Sequence, residues 1–152
     1  MTMAELRLEE LSATNIVAAN SLTLRPGQEQ FVTPTSYAIA DAYINPLTSW
    51  PRVVLDGDQV VGFVRGNFDP DATQDEFRSC LWRINVAADA QGAGVGKFAV
   101  HGLAEEARSR GFHRLTVIWE PGEEGPESFF LAIGFSIIGQ TQYGENIGAL
   151  EL

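Results

Sequence analysis

The segment that most constrains this chain is Gln91-Gly-Ala-Gly-Val-Gly-Lys97, three glycines alternating with small residues just ahead of a helix-forming stretch. Glycine takes left-handed backbone without a Cβ clash, so such a run can turn tightly and aim its N–H groups at one point. The residues after it carry an apolar stripe of Val95, Phe98, Ala99, Leu103 and Ala107. That spacing predicts a helix running to Arg110, stopped by Gly111. Its first turn holds no acid and does hold Lys97. A cation beside the positive end of a helix dipole is unfavourable unless an anion binds there. The segment therefore reads as a cradle for a phosphate or pyrophosphate. The plainer reading is a tight strand-to-helix turn that is rich in glycine.

Two familiar phosphate cradles can be compared with it. The P-loop needs glycine and Ser/Thr where this chain has Gln91 and Phe98, and fails. The dinucleotide fingerprint G-x-G-x-x-A does match at Gly94, Gly96 and Ala99, with Glu120 at the end of the next strand. Only 32 residues follow Glu120, too few for the rest of a doubly wound domain.

Around the glycine segment the pattern is mixed. Residues 5–11 alternate as a strand, Ser12 or Thr14 can cap a short helix to Leu22, and residues 25–34 read as loop. Helical spacing over 35–44 stops at Asn45-Pro46. Residues 52–55 and 59–68 are strands joined by the hairpin signal Asp-Gly-Asp. Residues 69–76 form an acidic turn and 77–86 another strand. After the glycine helix come a strand at 114–119, a short helix at 126–133, and strands at 134–140 and 147–152. With no repeat or linker, residues 1–152 are expected to form a single α+β domain. Its mixed α/β sheet would be an antiparallel meander followed by a β-loop-α-β crossover.

Composition narrows the function. The chain of 152 residues is 45% apolar, with 20 acids against 10 bases and a net charge of −10. Such a charge disfavours nucleic-acid and anionic-lipid partners, where Lys and Arg supply the attraction. Two stretches, 69–76 and 120–127, hold four acids each and no base. Cys80 is the single cysteine and the histidines are His101 and His113, so no metal centre is expected. The pattern Asp69-x-Asp71-x-Thr73 lacks the glycine and the final acid of a calcium loop. No apolar run approaches a membrane span and the N-terminus is charged, so a cytoplasmic setting is expected.

A third pattern fits better than either cradle. Gln91-x-x-Gly94-x-Gly96 resembles the Q/R-x-x-G-x-G/A motif of the GCN5-related N-acetyltransferases (GNAT). Downstream, Gly125-Pro-Glu-Ser-Phe-Phe-Leu-Ala-Ile-Gly-Phe135 resembles the later motif of that family. Both lie in the family's order, one strand apart, and the resemblance covers nearly the whole chain. Ser36-Tyr37, the hairpin at 50–63 and Tyr143-Gly-Glu145 look like the diamine and spermidine acetyltransferase branch.

The resemblance implies a fold whose fourth and fifth strands splay around acetyl-CoA. Backbone groups near Val86 would hold the pantetheine, and Gln91, Gly92, Ala93, Gly94, Val95, Gly96 and Lys97 the pyrophosphate, with Phe130 beside the cofactor. A small primary amine would then attack the thioester directly. The family's tyrosine acid is here Phe130, and a phenyl ring donates no proton; its usual base position falls at Trp82. Tyr143 and Glu120 are the replacement candidates for acid and base, each with the plainer reading of an ordinary surface residue. Tyr37 and Trp50 could wall the acceptor pocket, although aromatic core residues explain them equally. Glu29, Glu120, Glu123 and Glu124 could draw a cationic, polyamine-like amine, or simply keep the chain soluble. Two further readings stay open, a non-catalytic acyl-CoA-binding module and a nucleotide-binding protein. A homodimer also stays open.

Overall fold

The computed structural model describes residues 6–22, 35–92, 94–122 and 124–152. Seven strands and four α-helices follow the order β1 (Leu6–Glu10), α1 (Ile16–Asn20), α2 (Thr35–Ile44), β2 (Ser49–Asp56), β3 (Gln59–Phe68), β4 (Ser79–Val86), α3 (Val95–Ser109), β5 (Arg114–Trp119), α4 (Glu127–Ala132), β6 (Ser136–Gln140) and β7 (Asn146–Glu151). The sheet order is β1-β2-β3-β4-β5-β7-β6. Among the described residues only β4 and β5 run parallel, joined by α3 as the crossover, so the expected α+β arrangement is the one formed.

Each sheet face has its own core. On one, α3 buries Val95, Ala99, Val100, Leu103, Ala104 and Ala107 against Val54, Val64, Phe68, Leu81 and Leu115. Val100 and Ala104 widen the expected stripe, while Phe98 packs at its edge. Leu103 is fully buried, and truncating such a leucine costs about 2–5 kcal/mol. On the other face, Ala19 of α1 and Ala38 of α2 cover Val53, Leu55 and Phe63.

Several boundaries shift from the sequence reading, β6 starting at Ser136 rather than residue 134 among them, and three of the shifts have a local cause. The β2 strand begins at Ser49 rather than Arg52, with Pro51 inside it. Pro51 is tolerated because β1 ends opposite Arg52, leaving the proline with no neighbour on that side. The β4 strand begins at Ser79 rather than Phe77, whose segment winds into a 3₁₀ turn. Helix α1 is shorter than expected and neither Ser12 nor Thr14 caps it. Their hydroxyls bond each other at 2.7 Å, while Asn15 bridges the Ser12 N–H and the Glu10 carbonyl, each at 2.9 Å.

The feature that shapes the site lies between β4 and β5. The two strands pair only at Cys80 with Thr116 and Leu81 with Val117. Beyond Leu81 they part. The β3–β4 register slips there, with Arg65 opposite Arg83 but Gly66 opposite Leu81, so Trp82 is an extra residue that bends β4. Meanwhile β5 stays paired to β7 along its whole length. Phe130 of α4 stacks on Trp119 at the end of β5, with ring centroids 5.3 Å apart.

Candidate functional site

The parted strands open a cleft of about 490 Å³. One wall is the free edge of β4 at Ile84, Asn85 and Val86; opposite it stand Phe129, Phe130 and Ile133. The glycine segment and the first turn of α3 line the cleft as well, as do Glu124, Gly125 and Pro126 between β5 and α4.

Local geometry explains why the glycines are there. Gly92 and Gly94 take φ of +84° and +85°, left-handed values that strain any residue with a Cβ. Gly94 is the N-cap of α3, with no side chain capping the helix, so the first-turn amides have no side-chain acceptor at that position. Gly96 serves a different purpose. A Cβ there would lie 2.9 Å from the tip of the Phe129 ring, so a larger residue would have to push that ring out of its place between α3 and α4. Lys97 is exposed on the same turn and lines the cleft. Gln91 donates its side-chain amide to the Val86 carbonyl at 3.0 Å, tying the loop to the strand end.

Of the residues expected from sequence, Val86, Gln91, Gly92, Gly94, Val95, Gly96, Lys97, Phe130 and Glu124 all line this one cleft. Ala93, Glu123 and Glu29 lie outside the described residues. Glu120 is exposed directly after β5. Tyr143 is 80% exposed in the β6–β7 turn. Because Trp119 pairs with Asn146, both sit at the cleft end of the sheet, yet neither lines the cleft. Tyr37 and Trp50 are not brought together. Trp50 is buried in the α3-side core under Arg52, whose guanidinium lies 4.4 Å from the ring centroid. Tyr37 is exposed on α2, across the sheet, so the two cannot wall one pocket. His101 and His113 are exposed. Burial pushes the Cys80 thiol up to about 12, the Arg65 guanidinium offsetting part of that, so it is no nucleophile at neutral pH.

The sequence reading missed a polar patch on the α2 side of β3 and β4. Arg65 is 1% exposed, lies 2.9 Å from the Asp41 carboxylate and also donates to Ser49 Oγ. Its guanidinium covers the Trp82 ring at 4.7 Å. Arg83 stands opposite Arg65 on β4, and Asn85 follows on the same face, 3% exposed. Burial lowers the pKa of both arginines, and Asp41 raises them part of the way back. The available signal was a pair of polar residues two apart on each of two neighbouring strands, Arg65 with Asn67 and Arg83 with Asn85.

A parallel β-α-β unit with parted strands and a glycine-capped helix between them defines a fold that can take an extended ligand edge-on. The model of the Acetyltransferase (GNAT) family matches residues 17–135, and the chain belongs to that family. It is 30% identical over 77 residues to the uncharacterized N-acetyltransferase ycf52 of Pyropia yezoensis, covering 51% of this chain and 40% of that protein. The chain spans less than half the length of the curated relatives it matches. The same fold is seen in the GNAT domain of S. lividans PAT, with a TM-score of 0.76 at 16% identity over 97% of this chain and 90% of that one. It recurs in a GNAT family acetyltransferase of Elizabethkingia anophelis with acetyl-CoA bound, with a TM-score of 0.68 at 12% identity, covering 97% and 99% of the two chains. No helix among the described residues is long and apolar enough to cross a membrane.

Proposed function

We propose that this chain is an acetyl-CoA-dependent N-acetyltransferase that moves the acetyl group to the primary amine of a small acceptor. The observation that carries the reading is the free β4 edge at residues 82–86, opening into a cleft capped by the glycine turn. Pantetheine is an amide chain and pairs with an open strand edge as another strand would. The α3 amides and Lys97 meet the pyrophosphate. The cleft then holds the thioester beside Val86, where an amine can attack it directly, forming the amide as the carbon–sulfur bond breaks.

Two protons must move. Glu120 takes the amine proton through water, and Tyr143 returns one to the thiolate of coenzyme A. Both stand at the right end of the sheet and outside the cleft wall, and catalytic hydrogen bonds often tighten only in the substrate complex. Phe130 is 3% exposed and packs among Phe129, Trp119 and Phe135, so it serves as cleft wall and not as acid.

Glu124 at the cleft mouth favours a second reading of the acceptor, a cationic polyamine-like amine, as in the diamine and spermidine acetyltransferase branch. A cytoplasmic setting belongs to the same reading and rests on the sequence. The test is release of coenzyme A against a panel of polyamines, aminoglycosides and amino acids, with acetyl-CoA binding followed by calorimetry. Binding without turnover on any amine would instead identify a non-catalytic acyl-CoA module. Stabilisation by NAD(H) and not by acetyl-CoA in a thermal shift would identify a nucleotide-binding protein.

A further inference from the structure

Buried polar side-chain atoms almost always find a hydrogen bond, so a cluster of exceptions calls for an explanation. Six such atoms are unpaired among the described residues, and five belong to Asp41, Arg65, Arg83 and Asn85. Arg65, Arg83 and Asn85 project from β3 and β4 toward the α2 side of the sheet, where Asp41 pairs with Arg65 and its charge also reaches Arg83. The unpaired atoms are Nε and Nη1 of Arg65, Nε of Arg83, Oδ1 of Asn85 and Oδ2 of Asp41, which contacts Arg65 without hydrogen-bond alignment. Two guanidiniums thus share one carboxylate. The strip carries an excess positive charge inside an acidic protein.

Its position relative to the cleft gives it a use. Trp82 and Arg65 line a second cavity of about 460 Å³ beside α2. Asn85 lines the cleft itself. Arg83 lies between them on β4, two residues from Asn85, which at strand spacing is roughly 7 Å. Asp41, Asp69 and Asp71 line the second cavity together with Arg65, so an anion is better placed at the Arg83 end of the strip, away from those acids.

We propose that this strip recognises a carboxylate on the acceptor, held by Arg83 and Arg65, while Asn85 Oδ1 accepts a hydrogen bond from the acceptor amine beside the cleft. The acceptor is then a small amino-carboxylate rather than a polyamine. This rests on the acetyltransfer reading above and deepens it. Asn85 acts here by orienting the amine, whose lone pair must face the thioester. The proton follows the route already given.

Matched amines test it. Lysine and cadaverine differ by one carboxylate, as do ornithine and putrescine, and lysinamide keeps the skeleton of lysine without the charge. With acetyl-CoA, kcat/KM is expected to be at least about 10-fold higher for each carboxylate-bearing partner, the size of one charged hydrogen bond. Arg83→Gln should raise the KM of lysine about 10- to 100-fold and bring the lysine-to-lysinamide ratio near one, with Arg83→Lys between. Arg83 is only half-buried, so these variants keep the fold, which melting confirms. Equal or better use of cadaverine and putrescine overturns the proposal and restores the polyamine reading. An unchanged lysine-to-lysinamide ratio in Arg83→Gln also overturns it, leaving ordered water on these atoms. Failure of acetyl-CoA to bind by calorimetry would sink the acetyltransfer reading separately. The carboxylate site would then still be judged by whether lysine binds the protein more tightly than cadaverine, and whether Arg83→Gln removes the difference.

Discussion

The side-chain amide of Gln91 reaches back to the Val86 carbonyl at 3.0 Å, joining the glycine turn to the open end of β4. The two residues belong to the two halves of the proposed cofactor site, so the bond fixes the cradle relative to the strand edge. Replacing Gln91 with Ala removes about 0.5–1.5 kcal/mol of net hydrogen-bond energy. If the cradle needs that registration, the loss falls on the bound state. The acetyl-CoA Kd is expected to rise about 3- to 10-fold by calorimetry. A Kd unchanged in Gln91→Ala would mean that the turn is held by its glycines alone.

The proton donor can be tested by one atom. Tyr143→Phe removes the phenol from an exposed turn where the ring packs little, so stability should hold. A general acid is typically worth 10²–10⁴ in rate, and a loss of about 10² in kcat is expected with the acetyl-CoA KM unchanged. A loss of only a few-fold takes Tyr143 out of the mechanism and leaves solvent to protonate the thiolate.

What the sequence revealed and what it hid divide along physical lines. Glycine codes for backbone directly, so the turn at Gly92 and Gly94 is legible in the sequence. Helix α2 and strands β3 and β5 form over the expected residues because strong punctuation bounds them: Asn45-Pro46 after α2, Asp-Gly-Asp before β3 and Gly111 before β5. Pro51 hid the start of β2, and with it the alternation that sends Trp50 and Val54 to the α3 face. Arg65 and Arg83 stayed hidden because a charged residue in a strand normally marks the solvent side. Only the fold shows that this side is covered by α2, and that Asp41 offsets half of the charge.

Cys80 makes a prediction about pH. Its thiol is 4% exposed, and burial lifts its pKa from an ordinary 9.0 to about 12. The unfolded chain therefore loses this proton before the folded one. The contribution to stability is intact below pH 9 and is lost as pH rises toward 12, by up to about 1.4 kcal/mol per pH unit. Urea unfolding at pH 8, 9 and 10 should show this slope in the native chain. Cys80→Ala should lack it, whatever the other groups contribute to both. Parallel curves for the two proteins would mean that the thiolate is accommodated in the fold.

Glu127 holds the far wall of the cleft, and its removal should be costly in a particular way. One oxygen accepts both the Trp119 indole N–H at 3.0 Å and the Asn146 amide at 2.8 Å. Trp119 and Asn146 are 3% and 7% exposed, so without that oxygen two buried donors are left unpaired. Each orphaned donor costs about 1–3 kcal/mol, and Glu127→Ala should destabilise by about 2–4 kcal/mol. For a chain of this length that lowers Tm by roughly 6–12 °C. Glu127→Gln keeps an acceptor oxygen in the same place and should cost about 1 kcal/mol or less. The wall moves with the network, since Trp119 carries Phe130 by stacking, so Glu127→Ala should also weaken acetyl-CoA more than Glu127→Gln does. If the two variants melt alike, charge rather than the shared acceptor oxygen is what Glu127 supplies. If Glu127→Ala melts like the native chain, the indole and the amide find other partners and the wall stands without them.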